Sequence, residues 1–219
     1  MAKLSALPDY TKGEEIFNMV SHISGGGFGI IATAVSVILA ITKRDPWAIT
    51  GCSIYGFTMI LVYTISSVYH GLKPSTAKKV LRIIDHCSIY LLIAGTYTPI
   101  LFCSIRPVSP THCWALFFTV WGCAVLGLTL TAIDMKKYNV LSIICYLGMG
   151  WCIIFAWDIA LKAIDFKGII WLLAGGIAYT IGAVLYGLGR KIRYMHSIFH
   201  LFVVLGSLLQ FMCILLYVI

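Results

Sequence analysis

Charge is what this chain has least of. Of its 219 residues only 11% are charged and eight are acidic, while 60% are hydrophobic. So few charges cannot clothe a water-facing globule, which excludes a soluble single domain. Disorder, which needs low hydrophobicity and high net charge, is excluded as well. The eight cysteines contain no C-x-x-C pair, so they read as small apolar packing residues and not as a disulfide framework. No Pro-, Gly- or Ser-rich linker divides the sequence, which leaves one domain. The first 17 residues carry Lys3, Asp9, Lys12, Glu14 and Glu15 where a cleaved leader would have a short apolar run and a small-residue cleavage site. No cleaved signal peptide is expected.

What the chain does have is long apolar runs. The mean hydropathy is +0.95, and seven stretches of membrane length carry almost no charge, at about 18–42, 47–70, 84–105, 112–133, 139–159, 168–188 and 196–218. A transmembrane barrel would show segments of about ten residues alternating polar and apolar; these runs are longer and apolar on every side. The expected fold is therefore an all-α seven-transmembrane bundle, residues 18–218, behind a short N-terminal segment, 1–17. Eleven of the sixteen Lys and Arg fall in the N-terminal tail and the even loops: Lys3, Lys12, Lys73, Lys78, Lys79, Arg82, Lys136, Lys137, Arg190, Lys191 and Arg193. That bias predicts a cytoplasmic N-terminus and an outside C-terminus. The net charge of +8 then describes a basic rim facing anionic head groups. A multi-pass protein of the inner (plasma) membrane is expected, with membrane lipids as partners and neither nucleic acid nor an obligate protein partner.

Small residues cluster where helices approach closely: Gly25 and Gly29 in the first run, Gly175, Gly176, Gly182 and Gly187 in the sixth. Pro99, toward the outer part of the third run, removes a backbone donor and predicts a kink.

Histidine breaks the apolar pattern. On the predicted topology His22, His70, His86, His196 and His200 share the inner face, and only His112 lies outside. Ionisable groups in a membrane cost roughly 2.5 to 3.5 kcal/mol when charged near a helix centre, so they tend to be paired or functional. His196 and His200 are four apart and share a helix face, and Ser207 and Gln210 continue that stripe. Tyr63, Ser66 or Ser67, and His70 form a second inward stripe. His70, His196 and His200 therefore suggest a tripod of neutral imidazoles with a fourth position left for water, the arrangement of a catalytic zinc site. Asp85, three residues after Arg82, reads either as half of an ion pair at the rim or as the group that would orient or deprotonate that water, and Ser66 would hydrogen-bond beside it. Spacing alone leaves a second reading open, in which these histidines bond backbone carbonyls and head groups.

The residues also carry a family likeness. Ser66-Ser67-Val68-Tyr69-His70, the run from Asp85-His86 to Tyr97-Thr98-Pro99, and His196-Ser197-Ile198-Phe199-His200 resemble the bacterial hemolysin III branch of the progestin and adipoQ receptor family. Glu14 to His22 fits as well, so the resemblance spans about 14–218. It extends to the alkaline ceramidases and adiponectin receptors through a serine four before the second-run histidine, the third-run aspartate and the final H-x-x-x-H. By that likeness His70, His196 and His200 bind zinc near the cytoplasmic face and Asp85 contacts its water. Glu15, Asn18 and His22 form one stripe that would brace the pocket or cap an interfacial network. His86, about 100° from Asp85 around the helix, is expected to hydrogen-bond between helices.

Three functions follow as expectations: a zinc-dependent hydrolase of a lipid amide or ester, a non-enzymatic regulator of the membrane with a structural or sensory metal, and, last, a pore-forming hemolysin. Zinc is inferred from the ligand set, because nitrogen donors suit several transition metals.

Overall fold

The computed structural model describes residues 7–188 and 192–219. The basic residues Lys3, Arg190 and Lys191 and the opening of the 1–17 segment lie outside the described residues. Among the described residues seven helices are long and apolar enough to cross a membrane: α1 Lys12–Thr42, α2 Pro46–Gly71, α3 Thr76–Val108, α4 Pro110–Asp134, α5 Asn139–Ala163, α6 Phe166–Leu188 and α7 Met195–Tyr217. The chain is a multi-pass, all-α membrane protein.

Local chemistry sets the helix ends. Thr11 and Glu14 form a capping box that starts α1 six residues before the apolar run does, satisfying amides that would otherwise be orphaned. Asp45 caps α2, with Pro46 in the first turn where its missing N–H costs nothing. Ser75 caps α3, so this helix also begins well before the run read from hydropathy. Its first two turns carry Lys78, Lys79 and Arg82, which hydropathy cannot count as membrane helix.

The helices form a closed ring in chain order, α7 returning to α1, with α3 drawn inward. In its most apolar window 78% of α3 is buried, against 28% for α1, α4 and α5. Outward faces carry Ile31, Phe118, Val140 and Phe155, all well exposed, as a lipid-facing surface requires. α6 packs on α7 along its length and barely touches α5.

At Pro99 the regular α-helix gives way to a wide π-type turn over Ile100–Ile105 before one last α turn. The missing amide is absorbed by a change of helix pitch in addition to any bend. α2 approaches closely here, and a Cβ on Gly51 would lie 2.8 Å from the Pro99 Cα. α5 breaks as well, from an α-helix ending at Gly150 to a 3₁₀ segment over Cys152–Ala156. Tyr97 of α3 stitches that break: its hydroxyl donates to the Gly150 carbonyl at 2.8 Å and accepts from the Ile153 amide at 3.1 Å. Irregular backbone at membrane depth persists only where such partners exist.

The glycines divide by position. A Cβ on Gly25 would meet the Tyr63 ring at 2.8 Å, on Gly175 the Gln210 amide at 2.7 Å, and on Gly182 the Phe202 side chain at 3.2 Å. Gly187 has nothing within 4 Å, so it is not a close-approach site. The eight cysteines are all free and none is exposed.

Candidate metal centre

Three helices converge at the end of the bundle where α2 finishes and α7 begins. His70 is the penultimate residue of α2, and His196 and His200 occupy the first two turns of α7. All three side chains are buried. Each offers a ring nitrogen, and the three nitrogens lie within 4.8 Å of one another. The His196 and His200 Nε2 atoms are 3.1 Å apart. Two nitrogens on a tetrahedral zinc would be separated by about 3.3 Å, given bonds of about 2.0–2.1 Å.

α1 supplies the support. The Glu15 carboxylate sits 2.7 Å from His70 Nδ1 and accepts from Lys78 Nζ at 2.7 Å. With Nδ1–H donated to Glu15, the His70 Nε2 lone pair is free to ligate, which is how outer carboxylates orient metal-binding histidines. That Nε2 is buried with no hydrogen-bond partner among the described residues. A buried unsatisfied nitrogen costs about 1–3 kcal/mol, so a cation at the convergence of the three rings suits the site. The histidine set fits zinc or a neighbouring transition metal. Lys78, 3% exposed, also donates to the Leu72 carbonyl at 2.8 Å. It thereby ties α3 to the carbonyl end of α2, where a cation is favoured.

The other predicted residues occupy distinct places. His22 of α1 stacks on His200 with ring centroids 3.8 Å apart, and Tyr63 meets its edge at 5.1 Å. Asn18 and His22 are both buried, and none of their side-chain polar atoms has a hydrogen-bond partner among the described residues. Asp85 and Ser66 do not join the nitrogen cluster. They line, with His22 and His200, a cavity of about 130 Å³ that continues between α3, α5, α6 and α7 along apolar walls as far as Ile100 and Gln210. His86 is turned elsewhere: Nδ1 donates to the Arg82 carbonyl at 2.9 Å and Nε2 lies 3.0 Å from the Tyr186 hydroxyl. Its nitrogens serve helix contacts, and Asp85 Oδ2 stands 3.6 Å from Nδ1. His112 is exposed and bonded to Ser109 at 2.8 Å, remote from the other five.

Beneath the cluster the α7 stripe is held by hydroxyls. Ser207 accepts from Tyr63 at 2.7 Å and meets the Tyr179 hydroxyl at 2.8 Å. Gln210 donates to the Leu172 carbonyl at 3.0 Å. These bonds lock α2, α6 and α7 in register behind the histidines.

Tyr10 was not singled out by sequence reasoning. Its ring stacks on His196 at 5.1 Å and 19°, and lies 5.9 Å from His70. Burial raises its phenol above the ordinary range. The only signal available in sequence was an aromatic residue just ahead of the Thr11 cap.

Comparison with known proteins places the chain in a family. The family described as Haemolysin-III related matches residues 10–211. Hemolysin-3 of Bacillus cereus is 36% identical over 217 residues, covering 99% of this chain and 96% of that protein. The Hemolysin-3 homolog of Bacillus subtilis (strain 168) is 36% identical over 208 residues, covering 95% and 96%. The human Monocyte to macrophage differentiation factor is 28% identical over 187 residues, covering 82% of this chain and 75% of its own length. Every candidate site residue falls inside the matched span, and the chain belongs to the haemolysin-III family.

Proposed function

We propose that this protein is a zinc-dependent hydrolase of a lipid amide or ester, working at the cytoplasmic end of the bundle. The observation that carries the reading is the meeting of three buried histidine nitrogens, one of whose residues, His200, also lines a largely apolar cavity together with Asp85 and Ser66. His70, His196 and His200 would hold the metal, which supplies a Lewis acid able to polarise a carbonyl and acidify water. Glu15 fixes the His70 tautomer. Asp85 stands in the cavity wall as the carboxylate that takes a proton from water and returns it to the leaving group, with Ser66 beside it to hold the substrate oxygen. Ile89, Leu92, Ile143 and Leu147 offer the apolar lining that an acyl chain needs. The three-histidine set without Asp85 supports an open fourth position.

The test is to purify the protein and measure bound metal together with fatty acid released from ceramide-like and ester lipids. Stoichiometric zinc with turnover that disappears in Asp85→Asn is the expected result. Stoichiometric zinc with no turnover on any lipid would instead support a non-enzymatic regulator carrying a structural or sensory metal. The name of the Bacillus cereus relative favours a third reading, membrane lysis, which dye release from liposomes would test.

A further inference from the structure

The residues just before α1 pack against the histidine end of the bundle. The Tyr10 ring lies flat against His196 and close to His70. Four residues later, Glu14 is 4% exposed and uses both carboxylate oxygens. Oε2 accepts from the Thr11 amide and hydroxyl, each at 2.8 Å. Oε1 accepts from the Tyr194 amide at 2.7 Å, across 180 residues of chain. Tyr194 is the residue immediately before α7 and holds a left-handed φ of 62°, a conformation that a residue with a side chain keeps only when something fixes it. Gly13 lies under the Tyr194 side chain, and a Cβ there would be 2.9 Å from the Tyr194 hydroxyl. A local capping box needs only one of the Glu14 oxygens; the second has been spent on the turn that launches His196 and His200.

We propose that the N-terminal turn is a wall of the metal centre, in which Tyr10 covers the water-facing side of His196 and His70 and Glu14 fixes the start of α7. Both are positioning residues, and with that side shut the centre is reached through the apolar cavity. Solutes dissolved in water are kept from the metal, while molecules that partition into lipid are admitted. This rests on the metal reading of the three histidines and adds to it a rule of access.

The experiment uses the full zinc-loaded protein in lipid nanodiscs and times metal loss to two chelators, charged EDTA and lipophilic phenanthroline. The wild type is expected to lose zinc at least about tenfold faster to phenanthroline. Tyr10→Ala and Glu14→Ala should each accelerate loss to EDTA about tenfold, the scale on which groups around metal ligands act, with the phenanthroline rate unchanged. Tyr10→Phe, which keeps the stacked ring, should behave as wild type. Equal wild-type rates for the two chelators would overturn the proposal, and so would variants that speed both chelators alike, because that is general loosening. A readout independent of metal is hydrogen exchange at the Tyr194 amide, which Glu14→Ala must accelerate if the clasp exists. Failure of the wild type to bind zinc at all would sink the metal reading, a separate failure from an intact clasp or a broken one.

Discussion

The two ends of the bundle are built by the same helices under different rules. At the histidine end, α1, α2, α3 and α7 bring Glu15, His70, Lys78 and His196 together through directed polar contacts of 2.7 Å and stacked rings. At the opposite end, α2, α3 and α4 meet through Trp47, Phe102, Trp114 and Phe117, with ring centroids 5.3–6.1 Å apart and the Arg106 guanidinium 4.3 Å above Trp47. That end resembles the aromatic belt of any membrane interface, and its histidine, His112, stays exposed. The difference is one of cost. An aromatic ring packs without obligations, whereas a buried imidazole or carboxylate must find a partner or be paid for in stability. The histidine end keeps several such groups, and His70 Nε2 and the Asn18 and His22 side chains have no hydrogen-bond partner there among the described residues.

Substitutions can sharpen this contrast. The largest effect is expected for His70→Ala and His196→Ala: metal content of the purified protein should fall by more than about a hundredfold in affinity, beyond the 10–100-fold that outer partners command. Next comes Glu15→Gln, which removes the carboxylate from His70 Nδ1 and should weaken metal affinity about tenfold, read by competition with a chromogenic chelator. A fold much less disturbed than metal binding would separate orientation from support. Tyr97→Phe, at the stitched break of α5, should lower stability by about 1–3 kcal/mol through two orphaned backbone groups and leave metal binding alone; thermal unfolding in detergent with a parallel metal assay checks both. The smallest effect belongs to His112→Ala, expected within about 0.5 kcal/mol of wild type and without change in bound metal. A loss of metal from this last variant would abolish the distinction between the two ends.

Much of the site was legible beforehand because helices translate spacing into direction. The four-residue interval between His196 and His200 puts both rings on one face, and the stripe from Glu15 through Asn18 to His22 does the same on α1. What spacing could not give was distance between helices. Nothing in the positions of Glu15, His70 and Lys78 announces that one carboxylate joins the other two, since that pairing depends on how α1, α2 and α3 cross. Spacing offered Asp85 either a rim ion pair with Arg82 or a place beside the metal site; in the fold Asp85 is among the residues that line the cavity. The helices begin ahead of the apolar runs for a related reason. Hydropathy registers only the lipid-exposed run, whereas Thr11 and Ser75 begin α1 and α3 in the polar zone, where capping bonds decide the boundary.

By itself the sequence determined the number of spans, the all-helical class and the family, because each of these depends on composition and local periodicity within a solvent that forbids unpaired backbone. Only the tertiary structure decided which of the polar residues meet. It brought a glutamate from the first helix to a histidine of the second, turned His86 away from the cluster, and laid Tyr10 over His196. Those outcomes depend on crossing geometry and on contacts made between residues up to 180 positions apart, and no local pattern encodes them.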